Sequence, residues 1–382
     1  MDLKDYRVRI DAIDKELTRL FQERMHVAGE IAEFKKANGL PVLDRTRERQ
    51  KLSAIVNEAE EPFQNYLHVL YSLIFELSRS WQERSISAGT PTPLQVRIEE
   101  AVENTPRLFP PRAEVACQGV EGAYSQIACE KLFSMPNIMY FTSFESVFAA
   151  VDQGLCAYGV LPLENSTAGS VNKIYDLMNR YSFSIVRSAR LKVDHNLLVK
   201  RGTKLSDVKE VFSHEQAISQ CAEFLKKLGD VKVTVCENTA VAAKFVAESE
   251  RRDVAALSSR ACAELYGLES LADSVQDKGN NFTRFICISK NLEIYPGADK
   301  TSVMILTDHK PGALYKLLAR FYALGINLTK LESRPLPDRD FEFMFYFDLE
   351  TSVYSPEFIT LIGELESSCE QFRYLGSYSE LV

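Results

Sequence analysis

The sequence predicts a multidomain protein with three regions: an all-α region, a two-lobed α/β region and an α+β region, in that order. Residues 3–38 repeat apolar and charged side chains at three- and four-residue spacing, which is typical of one long helix. From Ala113 onward, short apolar runs alternate with helical patterns, which indicates an α/β sandwich. Residues 299–382 follow the order strand, helix, strand, strand, helix, strand.

Composition and charge argue against several functional classes. The chain has 382 residues, enough for roughly two to three domains, and 46% of them are hydrophobic, which is ordinary for a globular protein. A net charge of -8 argues against a nucleic-acid-binding protein, which needs a basic surface. No apolar run reaches the ~18 residues of a membrane span, and the amino terminus lacks the layout of a signal peptide. We therefore expect neither a nucleic-acid nor a membrane partner.

The cysteines favour a reducing compartment. All eight are scattered without a C-x-x-C pair, which is typical of reduced core residues and not of metal ligands or disulfides. The loop Gly119-x-x-Gly122 is not a dinucleotide fingerprint. We therefore expect a cytoplasmic protein with no metal and no cofactor.

The long first helix carries cations that a single chain cannot bring together. Arg24 and Lys35 lie ~16 Å apart along the axis and ~20° apart around it, so both side chains can reach one small anion. Arg7 lies roughly 25 Å before Arg24 on the same helix and cannot reach that anion. The spacing predicts a helical dimer whose two anion sites each use both subunits. The alternative is a coiled-coil seam in which these cations extend to solvent.

Two more helices complete the first region. Asn38-Gly39 and Pro41 predict the end of the first helix, and a second helix begins near Asp44. Its polar stripe can also be read as a surface charge ladder. A third helix is predicted from Pro62 to about Glu83.

This region resembles the all-helical chorismate mutases. The resemblance covers residues 1–84 and implies an intertwined dimer that binds chorismate through residues of matching type and order: Arg7, Arg24, Lys35, Asp44, Arg47, Glu48, Ser78 and Gln82. The reaction is a pericyclic rearrangement of a dicarboxylate, so it needs clamping and charge stabilisation instead of a nucleophile.

The resemblance also implies a role for each residue. Arg24, Arg47 and the partner's Arg7 would hold carboxylates. Lys35 and Gln82 would donate to the breaking ether bond, and are the expected catalytic residues. Glu48 would accept a hydrogen bond from the ring hydroxyl, and Asp44 and Ser78 would be supporting contacts.

Residues 85–112 hold five prolines around a short helical pattern and are predicted to be a linker. Beyond the linker, polar loops follow several strands of the α/β region, where helix amino ends offer N–H groups to ligands. Singly, each loop can be explained by helix capping. One of these loops, Ser213-His214, leads into a helix predicted over Gln216–Leu228.

Residues 113–290 resemble prephenate dehydratase. The resemblance rests on four segments in the family's order: Tyr124-Ser125, Pro162 to Ser166, Ser213-His214 and Asn281 to Phe285. Val120 and Glu215 replace prolines that are usual in the family, but neither change removes a functional group. The resemblance implies a two-lobed fold like that of periplasmic binding proteins, and an acid-assisted loss of a ring hydroxyl from prephenate, coupled to decarboxylation to phenylpyruvate.

The expected dehydratase site leaves its proton donor open. Thr283 is placed at the departing hydroxyl, but a hydroxyl is a poor acid and is better suited to donate a hydrogen bond. Glu164 is the alternative general acid if burial raises its pKa. Arg284 would bind a carboxylate or support the lobe. Asn165, Ser213 and Gln220 would orient the substrate.

Residues 299–382 have a ferredoxin-like element order and resemble the ACT regulatory domain. Two motifs carry the resemblance, Gly312-Ala313-Leu314 and Leu331 to Pro335. They imply an allosteric phenylalanine site at Gly312, Ala313, Leu314, Glu332, Ser333 and Arg334. Glu332 would bind the ammonium group, whereas Arg334 could be structural. A purely dimerising role for this region is the alternative.

The three resemblances follow the order found in the bifunctional chorismate mutase/prephenate dehydratases of phenylalanine synthesis. Chorismate and prephenate are therefore the expected substrates, phenylalanine is the expected inhibitor, and a homodimer or higher oligomer is the expected assembly. Two other readings remain. A two-lobed binding protein would bind prephenate without turnover, and a regulatory scaffold would have lost some of the polar groups named above.

Overall fold

Four helices form the first part of the chain in the computed structural model, which describes residues 2–87, 91–307, 309–336 and 342–382. The helices are α1 Leu3–Asn38, α2 Arg45–Glu58, α3 Gln64–Ser87 and α4 Pro93–Asn104. A single 3₁₀ turn, Glu61–Phe63, contains the proline predicted to open the third helix. No strand occurs in the described residues before Glu114, so the predicted all-α region is confirmed.

Helix α1 begins and ends where its terminal residues satisfy the free backbone groups. The Asp2 side chain accepts hydrogen bonds from the backbone N–H groups of Lys4 and Asp5, at 2.8 and 3.0 Å. Gly39 ends the helix with φ +62°, a left-handed conformation that favours glycine. The predicted end at Asn38-Gly39 is therefore confirmed, and 36 residues give a helix about 54 Å long.

The two halves of α1 differ in burial. Its buried side chains, Ala28 and Ala32, both lie in the carboxyl-terminal half. The amino-terminal half instead exposes large apolar side chains, which are 47% to 65% accessible: Leu3, Tyr6, Ile10, Ile13, Leu17 and Leu20. A soluble helix rarely leaves such a stripe uncovered, so this half has the surface of an interaction site.

The α/β region contains two sheets. In chain order its elements are β1 Glu114–Gln118, α5 Tyr124–Leu132, β2 Asn137–Phe141, α6 Phe144–Asp152, β3 Tyr158–Asn165, β4 Gly169–Ser170, α7 Asn172–Arg180, β5 Ser184–Lys192, β6 Asn196–Val199, β7 Glu210–Ser213, α8 Glu215–Gln220, α9 Ala222–Lys227, β8 Lys232–Val235, α10 Thr239–Glu248, β9 Val254–Ser258, α11 Arg260–Tyr266, β10 Glu269–Ala272 and β11 Phe282–Ser289. One sheet has the order β5-β11-β3-β1-β2, with β4 beside β3, and the other has the order β10-β6-β9-β7-β8. The predicted division into two lobes is confirmed.

One predicted helix in this region is wrong in its extent. The predicted helix over Gln216–Leu228 is divided into α8 and α9 at Cys221. Asp277 accounts for the break, because its backbone N–H donates to the Gln220 carbonyl at 2.7 Å and its carboxylate accepts from the Glu223 N–H at 3.2 Å. A segment distant in sequence thus takes the hydrogen bonds that a continuous helix would use.

The last region has the predicted order of elements. They are β12 Lys300–Leu306, α12 Ala313–Ala323, β13 Asn327–Pro335, β14 Phe343–Glu350, α13 Pro356–Ser368 and β15 Gln371–Tyr378. The sheet order is β13-β14-β12-β15, which leaves β13 at an edge. A final strand, β16 Glu380–Leu381, pairs with β5 of the α/β region.

The chain forms two compact units that do not follow chain order. One contains Met1–Glu100 and Met304–Arg373, and the other contains Ala101–Val303 and Tyr374–Val382. In the first unit, α4 lies in the predicted linker yet is packed, since Ile98 is buried and the Gln95 amide donates to the Ile359 carbonyl at 2.7 Å. None of the helices in the described residues combines the length and the apolar character of a membrane span.

Candidate active sites

The predicted mutase residues on α1 and α3 are in contact with one another. The Arg24 guanidinium donates to the Ser78 hydroxyl. The Lys35 ammonium donates to the Val42 carbonyl at 2.5 Å and to the Gln82 amide oxygen at 3.5 Å. Both α3 side chains are buried, so α1 and α3 together hold two cations and two neutral polar groups in one cluster.

Arg24 keeps its charge in this cluster. Its guanidinium lies over the Phe75 ring, 5.5 Å from the ring centroid, a favourable cation–π position. Burial lowers the pKa of Arg24, but the ordinary value is about 12.5 or higher, so the group remains charged at neutral pH. A half-buried charged guanidinium is suited to binding a carboxylate.

Three predicted mutase residues stand apart from these contacts. Asp44 caps α2 by accepting the Arg47 backbone N–H at 2.9 Å, a role that its position at the helix start already favours. The side chains of Asp44 and Arg47 are exposed. Arg7 is also exposed and lies roughly 25 Å along α1 from Arg24. In a single chain the cluster therefore lacks Arg7.

Glu48 belongs to a buried charge network that the sequence did not predict. Arg79 on α3 donates to both carboxylate oxygens of Glu48 and also to Glu76. Glu76 in turn accepts from Arg320 on α12, with an Nε–O distance of 2.7 Å. Arg320 also lies 3.6 Å from Glu83. A chain of alternating charges thus joins a predicted substrate contact to α12 within one compact unit.

The network changes the titration of its members. Burial alone would raise the pKa of Glu76, but Arg320 and Arg79 leave it lowered. Burial raises the pKa of Glu83 to about 7, and although Arg320 opposes this shift, the carboxylates of Glu364 and Glu76 add to it. Of the carboxylates in this network, Glu83 is therefore the one whose charge is only weakly compensated by neighbouring cations.

The dehydratase residues come together because β3 and β11 are antiparallel neighbours. The register sets Thr283 opposite Asn165 and Arg284 opposite Glu164. The Asn165 amide donates to the Thr283 hydroxyl at 2.9 Å. Two of the four segments that carried the prephenate dehydratase resemblance thus meet at one sheet position.

A network of neutral side chains extends from this pair. The Gln220 amide donates to the Thr167 hydroxyl at 2.8 Å, and that hydroxyl donates to the Asn165 amide oxygen at 2.7 Å. Asn281 donates to the Gln220 amide oxygen at 2.8 Å. The structure therefore brings together the predicted residues Asn165, Gln220 and Thr283. It adds Thr167, which directly follows the segment Pro162 to Ser166, and Asn281, the first residue of the segment that ends at Phe285.

Three other dehydratase predictions have different surroundings. Glu164 pairs with Arg284, with an O–N distance of 3.0 Å, which fits the structural alternative for the arginine. Ser213 is fully buried, and its hydroxyl donates to the Leu257 carbonyl at 2.7 Å, so the described bonds hold it in the sheet and not in the network. His214 caps α8, as its position before the helix favours.

A cavity of about 290 Å³ opens elsewhere in the same unit. Its lining includes Tyr124, Lys192, Asp194, Asn196 and Arg260. Tyr124 belongs to the motifs that resemble prephenate dehydratase, and its hydroxyl donates to the Asp194 carbonyl at 2.6 Å. The five residues assigned to substrate orientation and the proton donor do not line this cavity.

The predicted phenylalanine residues lie on two elements. Gly312 stands before α12 with φ +81°, and Ala313 and Leu314 begin the helix. Glu332, Ser333 and Arg334 lie on the edge strand β13, opposite Tyr346, Phe345 and Met344 of β14. A glycine suits the left-handed conformation at position 312, and the side chain it lacks leaves open space there.

Fold and sites together define a two-site protein, with a helical cluster built for an anion and an α/β cluster built for a neutral polar group. Comparisons with known proteins agree. The family model for chorismate mutase type II matches residues 6–83, and the model for prephenate dehydratase matches residues 115–293.

Relatives extend the match along the chain. The bifunctional chorismate mutase/prephenate dehydratase of Escherichia coli (strain K12) is 31% identical over 97% of this chain and 95% of that protein. Arogenate dehydratase 2 of Petunia hybrida is 38% identical over 76% of this chain and 78% of that protein. A solved prephenate dehydratase from Arthrobacter aurescens, in complex with L-Phe, has a TM-score of 0.64 and 26% identity, and the match covers 70% of this chain and 89% of that one. The chain belongs to the bifunctional chorismate mutase/prephenate dehydratase family.

Proposed function

We propose that this chain converts chorismate to prephenate and prephenate to phenylpyruvate, in phenylalanine biosynthesis. The observation that carries the proposal is the match to a bifunctional relative over 97% of the chain, together with both polar clusters. We assign the rearrangement to residues 1–84 and the dehydration to residues 113–290, joined by residues 85–112. The eight cysteines form no disulfide in the described structure and six of them are buried, which supports a reducing cytoplasmic location.

The mutase cluster suits a dianion. Arg24 and Arg47 would bind the carboxylates of chorismate, while Lys35 and Gln82 would donate to the ether oxygen as its bond breaks. Glu48 would accept from the ring hydroxyl, and its pairing with Arg79 supports this role by holding the carboxylate in place. Asp44 and Ser78 would support these groups.

Arg7 would come from a second copy of the chain. The distance from Arg7 to Arg24 along α1 and the exposed apolar stripe of its amino-terminal half support an intertwined dimer. Burial of the stripe against the same stripe of the partner would place each Arg7 in the other subunit's cluster. Higher oligomers are compatible with this arrangement.

The dehydratase cluster suits an elimination that needs alignment more than charge. Thr283 would donate a hydrogen bond to the departing hydroxyl, and Asn165 and Gln220 would orient the substrate. Glu164 remains the alternative proton donor, with Arg284 as its partner. If Thr283 is the donor, Glu164→Gln leaves the acid limb of the pH–rate profile unchanged, whereas loss of that limb assigns the proton to Glu164.

We also propose that residues 299–382 form an ACT domain that binds phenylalanine and inhibits the enzyme. The sheet order, the glycine before α12 and the L-Phe-bound relative support this role. Phenylalanine would act by binding a less active state more tightly than the active one. Equal rates for both activities with and without phenylalanine would contradict the regulatory proposal.

The experiment for the whole proposal is a product assay. Purified protein incubated with chorismate should accumulate prephenate and then phenylpyruvate. Lys35→Ala should abolish the first step and leave the conversion of added prephenate intact, because the two clusters are separate. A wild-type protein that binds chorismate or prephenate without turnover would contradict the proposal.

Arogenate is a second candidate substrate for the dehydratase site. The 38% identity to an arogenate dehydratase favours it. Arogenate carries an amino group where prephenate carries a keto group, so kcat/KM for the two substrates on one preparation measures the preference. A higher kcat/KM for arogenate would reassign the second reaction.

A further inference from the structure

His195 is a buried histidine in contact with the dehydratase network. It lies between β5 and β6 and is 3% exposed. Its Nε2 is 3.0 Å from the Gln220 amide oxygen. Within the described residues its Nδ1 has no hydrogen-bond partner. The sequence pattern pointed to His214 in this region, and nothing pointed to His195.

The direction of every hydrogen bond in the network follows from two backbone groups. The N–H groups of Thr167 and Ala168 donate to the Asn165 amide oxygen, at 3.0 and 2.9 Å. A backbone N–H can only donate, so this end of the Asn165 amide must be the oxygen. The nitrogen end therefore faces Thr283 and Asn281.

The same logic fixes the next two amides. Asn165 donates to the Asn281 amide oxygen at 2.7 Å, so the nitrogen of Asn281 must be the group that faces Gln220. Asn281 donates to the Gln220 oxygen at 2.8 Å, and the Gln220 nitrogen then donates to Thr167. No amide in this series can be reversed without opposing two donors or two acceptors.

The tautomer of His195 follows as a consequence. An amide oxygen only accepts, so the contact with Gln220 requires a proton on Nε2 of His195. Burial lowers the pKa of His195, and the hydrogen bond to Gln220 opposes that shift only in part. The residue is thus a neutral imidazole whose Nε2–H holds the oxygen end of Gln220.

The other end of the series is the Thr283 hydroxyl, the proposed hydrogen-bond donor to the departing hydroxyl of the substrate. Because the Thr283 oxygen accepts from Asn165, the single hydrogen of this hydroxyl is directed away from Asn165. In the part of the chain that the structure describes, no protein acceptor uses that hydrogen. It is available to the departing hydroxyl of a substrate.

We propose that His195 is a positioning residue of the dehydratase: its Nε2–H holds the oxygen end of Gln220 in the orientation that the backbone groups of Thr167 and Ala168 require. Through Asn281 and Asn165 it thereby helps to keep the Thr283 hydroxyl in its donating direction. This inference rests on the proposed dehydratase function. It concerns the geometry of turnover and not the binding of substrate. A change at His195 should therefore alter kcat more than KM.

Two variants of His195 test whether the hydrogen-bond donor at Nε2 matters or only the size of the side chain. The amide of His195→Gln reaches about as far as imidazole Nε2 and keeps a donor there, whereas the shorter amide of His195→Asn stops near Nδ1. We expect kcat for prephenate dehydration to fall about 10- to 100-fold in His195→Asn, with KM within about twofold of wild type. His195→Gln should recover most of that loss. Mutase activity of the same preparations reports on intact protein and should stay at the wild-type value.

A double-mutant cycle tests whether His195 acts through Gln220. In a Gln220→Ala background, His195→Asn should cause no further fall in kcat, because the group it positions is already absent. Independent, multiplicative losses would overturn the proposal, as would wild-type kcat in His195→Asn or equal losses in the asparagine and glutamine variants. A wild-type enzyme without dehydratase activity would instead refute the proposed function.

The tautomer of His195 can be measured directly in the folded wild-type protein. ¹⁵N spectra of the full-length protein, labelled at its five histidines, should show one imidazole protonated on Nε2 that is absent from the His195→Gln spectrum. A His195 signal with the proton on Nδ1 would overturn the proposal.

Discussion

The helical cluster and the α/β cluster differ in the chemistry of their side chains. The helical cluster contains Arg24 and Lys35, with the partly buried pair Glu48–Arg79 beside it, and these charges are suited to a dianion that rearranges without proton transfer. The α/β cluster consists mainly of amides and hydroxyls around Thr283, whose hydrogen-bond directions are fixed. We propose that one site stabilises charge and that the other aligns a donor, so each should lose activity in its own way when it is altered.

The clusters also differ in how they are completed. Neighbouring strands β3 and β11 bring the dehydratase residues together within one chain. Within one chain Arg7 lies roughly 25 Å along α1 from Arg24. The Glu48–Arg79 pair is linked through Glu76 to Arg320, which lies 244 positions after Glu76. The helical site is therefore the one that should respond to distant changes in the chain and to its assembly state.

The largest expected effect is a loss of dehydratase activity at the α/β cluster. Thr283→Ala should lower kcat for prephenate dehydration by about 10²- to 10⁴-fold, because the aligned donor is lost. Thr283→Ser is the matched control, since it keeps the hydroxyl and should stay within about tenfold of wild type. Steady-state assays of both activities measure this, and unchanged dehydration by Thr283→Ala would remove the residue from the site.

The next effect concerns the charge network. Arg320→Ala leaves the buried carboxylate of Glu76 with one of its two partners and should destabilise the unit by about 3–5 kcal/mol. Mutase activity should fall as well, because Glu76 and Glu48 share Arg79. Arg19→Ala removes two exposed ion pairs on α1 and should leave urea unfolding unchanged. Equal unfolding midpoints for the two variants would contradict the network's role.

The smallest effect is a pH dependence. The folded-state pKa of Glu83 is about 7 and its ordinary value is 4.5, so between these pH values the folded chain holds more protons than the unfolded chain. Stability should therefore fall as pH rises from about 4.5 to about 7. Glu83→Gln removes this loss and should stabilise the protein by about 1–3 kcal/mol at pH 8, with little change at pH 4.

The control for that prediction is Glu99→Gln, an exposed carboxyl group on α4. Urea unfolding of this variant should differ from wild type by the same small amount at both pH values. If Glu83→Gln, like the control, changes stability by the same small amount at both pH values, the charge of Glu83 does not destabilise the folded protein.

Much of the fold could be predicted because its signals are local. The three- and four-residue spacing and Gly39 predicted α1 and its end, and the alternation of strands and helices predicted two lobes. Both features depend on the nearby sequence, so they can be read from it. The contact of Asn165 with Thr283 joins two motifs that are 118 positions apart, and only the resemblance assigned both residues to one site.

The missed features depend on partners far along the chain. Glu76, Arg79 and Glu83 have the spacing of an exposed helix face, yet Glu76 is buried and pairs with Arg320 of α12. Cys221 interrupts a predicted helix because of Asp277. Ser213 is the last residue of β7, where a ligand residue is often found, yet its hydroxyl donates to the Leu257 carbonyl. Composition and periodicity cannot identify such partners.

Subunit complementation is the most direct test that the helical site needs two chains while the α/β site needs one. Arg7→Ala and Lys35→Ala each remove one cation from every mutase site, so each variant alone should be nearly inactive in chorismate rearrangement and fully active in dehydration. When the two are coexpressed, half of the dimers are hybrids with one intact site, so mutase activity should return to about a quarter of the wild-type value. Mutase activity that stays at the level of the separate variants, or a fully active Arg7→Ala protein, would contradict the shared site.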